Sequence, residues 1–255
     1  MNMILAVMYR EYRIRMTSLT WLFYDLFMPL LYLLLFGIGL DRAFAGGLHV
    51  GGAVVGYNAF FLAGVLSMAG FGIAINTSYG FFVDRDNGIF YEFLTYPMTR
   101  AEFLIGKILF NCLLSVIQAS ITIGLGILLL GISLRWEWTL VVLLGVVLGT
   151  AGWFFFLATF ALRIRRNDMF NTFINIAYFV LMFASSLFYP VDALPGWLRI
   201  MSYLNPITWH VDVLRLSTIG VGSLEVVLLE AAAFLVFLLI SFWTAVRTLV
   251  RGVIR

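Results

Sequence analysis

One cysteine, one lysine and two histidines are all that the 255 residues hold of three chemically versatile side chains. A lone cysteine, Cys112, excludes an intrachain disulfide. It lies in an apolar run, where a small buried residue is the plain reading. A lone lysine excludes a Walker phosphate loop, G-x-x-x-x-G-K-[ST], whose Lys reaches the terminal phosphates. Around Lys107 ("AEFLIGKI"), Ala101 stands where the first Gly belongs and Ile108 where Ser or Thr belongs. His49 and His210 are too few for a zinc site of the HExxH kind, and no G-x-S-x-G elbow is present. A dyad of His210 with Ser202 is a weaker reading than a solitary surface histidine.

Charge is scarce as well. Only 11% of residues are charged and 63% are hydrophobic, with a mean hydropathy of +1.03. Soluble domains run at about 25% charged and about 45–50% apolar, so the composition points to a polytopic membrane protein with no separate soluble domain. The net charge of +3 sits in short basic clusters beside apolar runs. Membrane orientation explains them, and nucleic acid is not implied.

What is present is a series of apolar runs long enough to cross a hydrocarbon core, which takes about 20 helical residues. They are Leu19–Leu40, Val54–Phe82, Phe103–Leu130, Thr139–Leu162, Phe170–Tyr189 and Leu224–Thr248. The expectation is an all-α integral membrane protein with six transmembrane helices. The first is read as a retained span, because no small-residue cleavage site follows it. Arg10, Arg13, Arg15, Arg85, Arg100, Lys107, Arg163, Arg165, Arg166, Arg247, Arg251 and Arg255 fall on one side, and only Arg42, Arg135, Arg199 and Arg215 on the other. The positive-inside rule then places both termini in the cytoplasm.

Three segments stand outside the spans. Residues 1–18 place Ile4, Leu5, Met8, Tyr12 and Met16 on one side among arginines, as expected of an amphipathic helix in the inner interface. Residues 189–215 ("YPVDALPGWLRIMSYLNPITWHVDVLR") are too polar to span and too apolar for a solvated loop. They predict short re-entrant helices before the last span. Residues 84–102 ("DRDNGIFYEFLTYPMTRAE") predict a short cytoplasmic helix. Asp84 and Asp86 would open it, Ile89 with Phe93 and Phe90 with Leu94 would share one side, and Pro97 would end it. Thr99 to Glu102 ("TRAE") would be a capping box for the next span.

Few polar residues lie within spans. Asp25, Glu225 and Glu230 are read as reaching an interface. Asn76, Asn111, Gln118 and Asn175 are read as able to bond between helices. Gly145, Gly149 and Gly152 permit close helix approach, either within the chain or between copies.

Taken together, the basic N-terminal helix, the six spans, the 189–215 segment and the first loop resemble the membrane subunit of a type-2 ABC exporter, the ABC-2 permease family. The loop carries Gly88, Glu92 and Pro97, followed by Arg100, Glu102, Gly106 and Lys107 ("R-x-E-x-x-x-G-K"). The resemblance covers essentially the whole chain and looks nearer to drug and lipid-type exporters. It implies a single transmembrane domain over 1–255 in which 84–102 is a coupling helix. Asp86, Gly88, Ile89, Phe90, Glu92, Phe93, Pro97 and Arg100 would then meet a separate ATPase. It also implies a homodimer with two copies of that ATPase, which would use ATP and Mg while this chain binds no cofactor. The substrate pathway would lie at the dimer interface, with Phe60, Phe61, Met68, Phe71, Asn76, Asn175, Phe179, Met182 and Phe183 along it. The rivals are a stand-alone secondary transporter, which would show inverted repeats and charged or broken helices at mid-membrane, and a membrane enzyme, for which catalytic residues are lacking.

Overall fold

A computed structural model describes residues 3–44, 46–89, 92 and 95–252. Phe90 and Phe93 lie outside the described residues. The chain runs as α1 (Met3–Thr17), α2 (Leu19–Ala43), β1 (Leu48–Val50), β2 (Ala53–Val55), α3 (Tyr57–Asp86), α4 (Arg100–Leu130), α5 (Thr139–Arg163), α6 (Asn167–Phe183), α7 (Gly196–Tyr203), α8 (Pro206–Ile219) and α9 (Leu224–Gly252). Among the described residues, five helical stretches have the length and composition to cross a membrane: α2, α3, α4, α5 with the turn before it, and α9.

α3 is the central helix. It is apolar on every side, as a helix surrounded by others must be, and it packs against α2, α4, α5 and α8. α4 begins at the expected capping box. Thr99 Oγ1 accepts from the Glu102 amide, and Glu102 Oε2 accepts from the Thr99 amide at 2.7 Å.

Two predicted spans are corrected. Val54 does not begin a span, because Leu48–Val50 and Ala53–Val55 form an antiparallel hairpin. Its two turn residues, Gly51 and Gly52, both have positive φ, which such a tight hairpin turn requires. The run Phe170–Tyr189 is not one helix either. α6 starts at Asn167 and stops at Phe183, and Ala184–Tyr189 is non-helical. α6 runs antiparallel to α3, with Asn167 bonded to Tyr79 and Tyr178 stacked on Phe71. Phe183 therefore ends near the level of Ser67, roughly 15 Å short of the Tyr57 end of α3 at 1.5 Å per residue.

The backbone groups released there are taken up inside the protein. Asn205 Nδ2 donates to the carbonyls of Leu181 and Ala184 at 2.6 and 2.9 Å. The Ser186 amide donates to Thr208 Oγ1 at 3.3 Å. Gly64 lets the broken segment approach, since a Cβ there would lie 2.8 Å from the Leu187 carbonyl oxygen.

α8 fills the remaining space, packed among α3, α5 and α9. His210 is the correction here. It is neither a surface residue nor a partner of Ser202; it is buried with its ring against α5. Ser67 Oγ donates to Nδ1 at 2.8 Å, and Nε2–H donates to the Gly145 carbonyl at 3.0 Å. The carbonyl can only accept, which assigns that tautomer. A Cβ on Gly149 would fall within the His210 ring, one on Gly145 would touch Leu214, and one on Gly152 would touch Phe234. The glycine series therefore serves packing within the chain. Gly149→Leu is expected to displace α8 and cost about 1–3 kcal/mol. His210→Ala should recover part of that loss in a double-mutant cycle of unfolding in mixed micelles.

Candidate coupling site

One end of the bundle collects α1, the end of α3 and the start of α4. Asp84 and Asp86 do not open a helix of their own: α3 continues through both. Gly88 ends α3. It has φ +73°, and its amide donates to the Arg85 carbonyl at 3.0 Å, the left-handed helix terminus that glycine adopts without strain. Beyond it Ile89, Glu92 and Thr95 are helical, and the chain bends at Tyr96 and Pro97. Asp86, Gly88, Glu92 and Pro97 are exposed, and Ile89 and Arg100 half-buried.

The interior of this end is ionic. Lys107 is 1% exposed, and its Nζ donates to Glu11 at 2.9 Å and to Asp84 at 3.0 Å. The ammonium also lies over the Phe81 ring, 5.2 Å from its centroid. Arg10 pairs with both acids, 3.1 Å from Glu11 and in a very short contact with Asp84. Two cations thus balance two anions, which is the condition for keeping such groups buried. Gly106, beside the lysine, lets α1 approach. A Cβ there would lie 2.7 Å from Val7 Cβ and 2.9 Å from the Ile4 carbonyl oxygen. "GK" is accordingly the seat of α1 on α4. The docked face of α1 is Val7, Glu11 and Arg15. The expected apolar side is displaced from it: Leu5, Tyr12 and Met16 are exposed, with Ile4 and Met8 only half-buried.

A second ion pair lies deeper. Arg15 donates to Asp25 on α2 at 2.8 Å, to Asn111 at 3.1 Å and to Thr77 at 3.4 Å, and Asn76 donates to the other Asp25 oxygen. Asp25 is therefore buried and does not reach an interface. Glu230 is buried too, with Oε2 unpartnered among the described residues, while Glu225 is exposed. Asn76 and Asn111 bond between helices as expected. Gln118 and Asn175 do not; each bonds within its own helix.

The residues expected along a substrate pathway fall into two settings. Phe60, Phe61, Met68 and Phe71 are buried in the protomer core, and Met182 is buried on α6. Asn76 is half-buried against Asp25. Asn175, Phe179 and Phe183 are exposed along α6.

Glu11, Asp25 and Lys107 were the residues to suspect as a group. An ionisable residue in an apolar helix is costly unless paired, and a lone lysine in "LIGKIL" called for an acid nearby.

Residues 3–219 match one family profile, described as ABC-2 type transporter. The chain belongs to the ABC-2 type transporter family. It is similar to the putative transport permease ycf38 of Cyanophora paradoxa, 29% identical over 192 residues covering 73% of this chain and 64% of that protein. It is similar also to the daunorubicin resistance ABC transporter permease protein DrrB1 of Streptomyces coeruleorubidus, at 28% over 71% of this chain and 62% of that protein. A third is the probable multidrug ABC transporter permease YbhR of Escherichia coli K12, at 26% over 61% and 42%. The alignments thus span 42–64% of these relatives' length, less than two thirds in each case. The chain is an ABC-2 family member with five helices, among the described residues, long and apolar enough to cross a membrane, which supports a multi-pass membrane protein.

Proposed function

We propose that this ABC-2 subunit is the permease of an ATP-driven exporter, energised by a separate cytoplasmic ATPase that docks on residues 86–100. The observation that carries this reading is that Asp86, Gly88, Glu92 and Pro97 are exposed beside a buried, charge-balanced base. A docking segment needs such a rigid foundation to pass force into a membrane bundle. The orientation inferred from the arginines would put the end that gathers α1, Arg85, Arg100 and Lys107 in the cytoplasm. Six spans are counted when α6 is included. Its 17 residues lie at the lower limit of about 17 for crossing, and the chain from Ala184 to Ile219, buried over 184–188 and along much of α8 but exposed along much of α7, completes the outer layer as a re-entrant unit. Irregular backbone at that depth is tolerated where protein covers it.

The assembly is a homodimer with two ATPase copies in a plasma or inner membrane, and the ATPase uses ATP and Mg. The exposed Asn175, Phe179 and Phe183 of α6 supply a mostly apolar face with a hydrogen-bonding group, which suits an amphipathic, drug-like or lipid-like cargo. The relatives named for daunorubicin resistance and multidrug transport are compatible with that class.

The test is co-purification with a candidate ABC ATPase partner. Truncating buried aromatic anchors costs about 2 kcal/mol or more each, roughly thirtyfold in affinity. Phe90→Ala with Phe93→Ala should release the ATPase while the permease still inserts. Unchanged ATPase capture and unchanged permease-stimulated hydrolysis in that double variant would reduce the segment to a membrane anchor.

A further inference from the structure

α2 is held very differently along its length. Its buried residues, Asp25, Pro29, Leu33 and Gly37, form one narrow stripe, and the opposite side exposes Phe23, Phe27, Leu35 and Ile38. At Asp25 three other helices converge. Arg15 of α1 and Asn76 of α3 bond the two carboxylate oxygens, and Asn111 of α4 holds Arg15 in place. One turn further on, Pro29 lacks the N–H that the Asp25 carbonyl would otherwise accept. Past Pro29 the contacts become apolar and non-directional. Phe36 lies 6.2 Å from Phe61 and 5.8 Å from Phe188 between ring centroids. The polar tie that follows is a 3.4 Å bond from the Asn58 amide to Asp41.

We propose that Asp25 pins the inner end of α2 to α1, α3 and α4, and that Pro29 is a pivot on which the outer part of the helix, through Ala43, swings. Charged hydrogen bonds fix a geometry, whereas ring contacts slide, and proline is the usual site of helix bending. At 1.5 Å per residue the arm beyond Pro29 is about 21 Å long, so a bend of about 10° moves its end by about 4 Å. Asp25 and Pro29 act here as positioning residues. What would drive the swing rests on the transporter reading: movement of the 86–100 segment reaches Asp25 through the Lys107 cluster, α1 and Arg15. The exposed outer face of α2 leaves the arm free to move.

The test uses spin-label pairs in a Cys112→Ala background, in the full chain in lipid nanodiscs, diluted with unlabelled protein. One pair is Trp21→Cys with Trp243→Cys, across the inner half; the other is Ile38→Cys with Leu228→Cys, across the outer half. In the permease alone, the outer distance distribution should be at least about twofold broader than the inner. Pro29→Ala, which favours helix and should fold, should narrow the outer one to the inner width. Asp25→Asn should broaden the inner one. Equal widths in the parent, or an outer width unmoved by Pro29→Ala, would overturn the pivot. Adding the ATPase with ATP and vanadate should then shift the outer mean by several ångström and leave the inner one in place. A pivot seen in the permease alone, with neither pair responding to the ATPase and nucleotide, would support the pivot and count against the transporter reading.

Discussion

Lys107→Met is expected to cost roughly 3–5 kcal/mol and to free α1 from the bundle, because removing one member of a buried ion cluster strands the others. Lys107, Arg10, Glu11 and Asp84 sum to zero charge. Without the lysine, Arg10 faces two carboxylates in an environment with little water. Methionine keeps the length of the stem over Phe81 and Gly80, so the loss is one of charge and hydrogen bonds rather than volume. Adding Glu11→Gln restores neutrality and should recover a large part of the stability, leaving the Arg10–Asp84 pair. The measurement is reversible unfolding in mixed micelles, with the protease susceptibility of α1 followed in the same samples. If Lys107→Met behaves like the parent in both, the cluster is not what fastens α1. Asp84 belongs to the same argument. It is a buried member of this base and not an acid at an ATPase rim, so Asp84→Asn should be damaging.

Phe71→Ala and Phe179→Ala should part company. Phe71 is enclosed on α3, with its ring 4.5 Å from Trp153 and 4.6 Å from Tyr178 between centroids. Truncation should cost about 3–5 kcal/mol, as for other enclosed aromatics. Phe179 is 60% exposed, meeting Phe183 at 4.6 Å. Its truncation should stay within about 0.5 kcal/mol in the isolated permease, so any change in exported cargo would report on the pathway face of α6. The same mixed-micelle unfolding, run beside an efflux assay with a fluorescent amphipathic dye, separates the two effects. Equal stabilities for the two variants would contradict the placement of Phe71 in the core.

Much of the architecture could be read in the residues, because its causes are local. Long apolar runs and the Thr99–Glu102 capping box fixed α2, α4, α5 and α9 to within a few residues. Pro97 marked where the segment after α3 ends, but its start was read at Asp84, whereas α3 runs on through Asp86 and closes before Gly88. The end of α6 was not readable, because nothing in "LMFASSLFYP" forbids a helix through Ser185. What ends it is Asn205, more than 20 residues further along, which accepts the role of donor to the freed carbonyls. The hairpin at Gly51–Gly52 was signalled by its glycines but hidden by the apolar residues around them. The ion cluster shows the firmer limit. Glu11 and Lys107 lie far apart in sequence and neither was read as half of a pair; only the packing of α1 on Gly106 brings them together.

The central claim is that the surface from Asp86 to Arg100 meets the ATPase. A photo-crosslinking amino acid at the exposed Glu92 should capture the ATPase in membranes, whereas the same group at exposed Ile200 on α7 should not. Capture from Ile200, or none from Glu92 in a complex that hydrolyses ATP, would contradict the account.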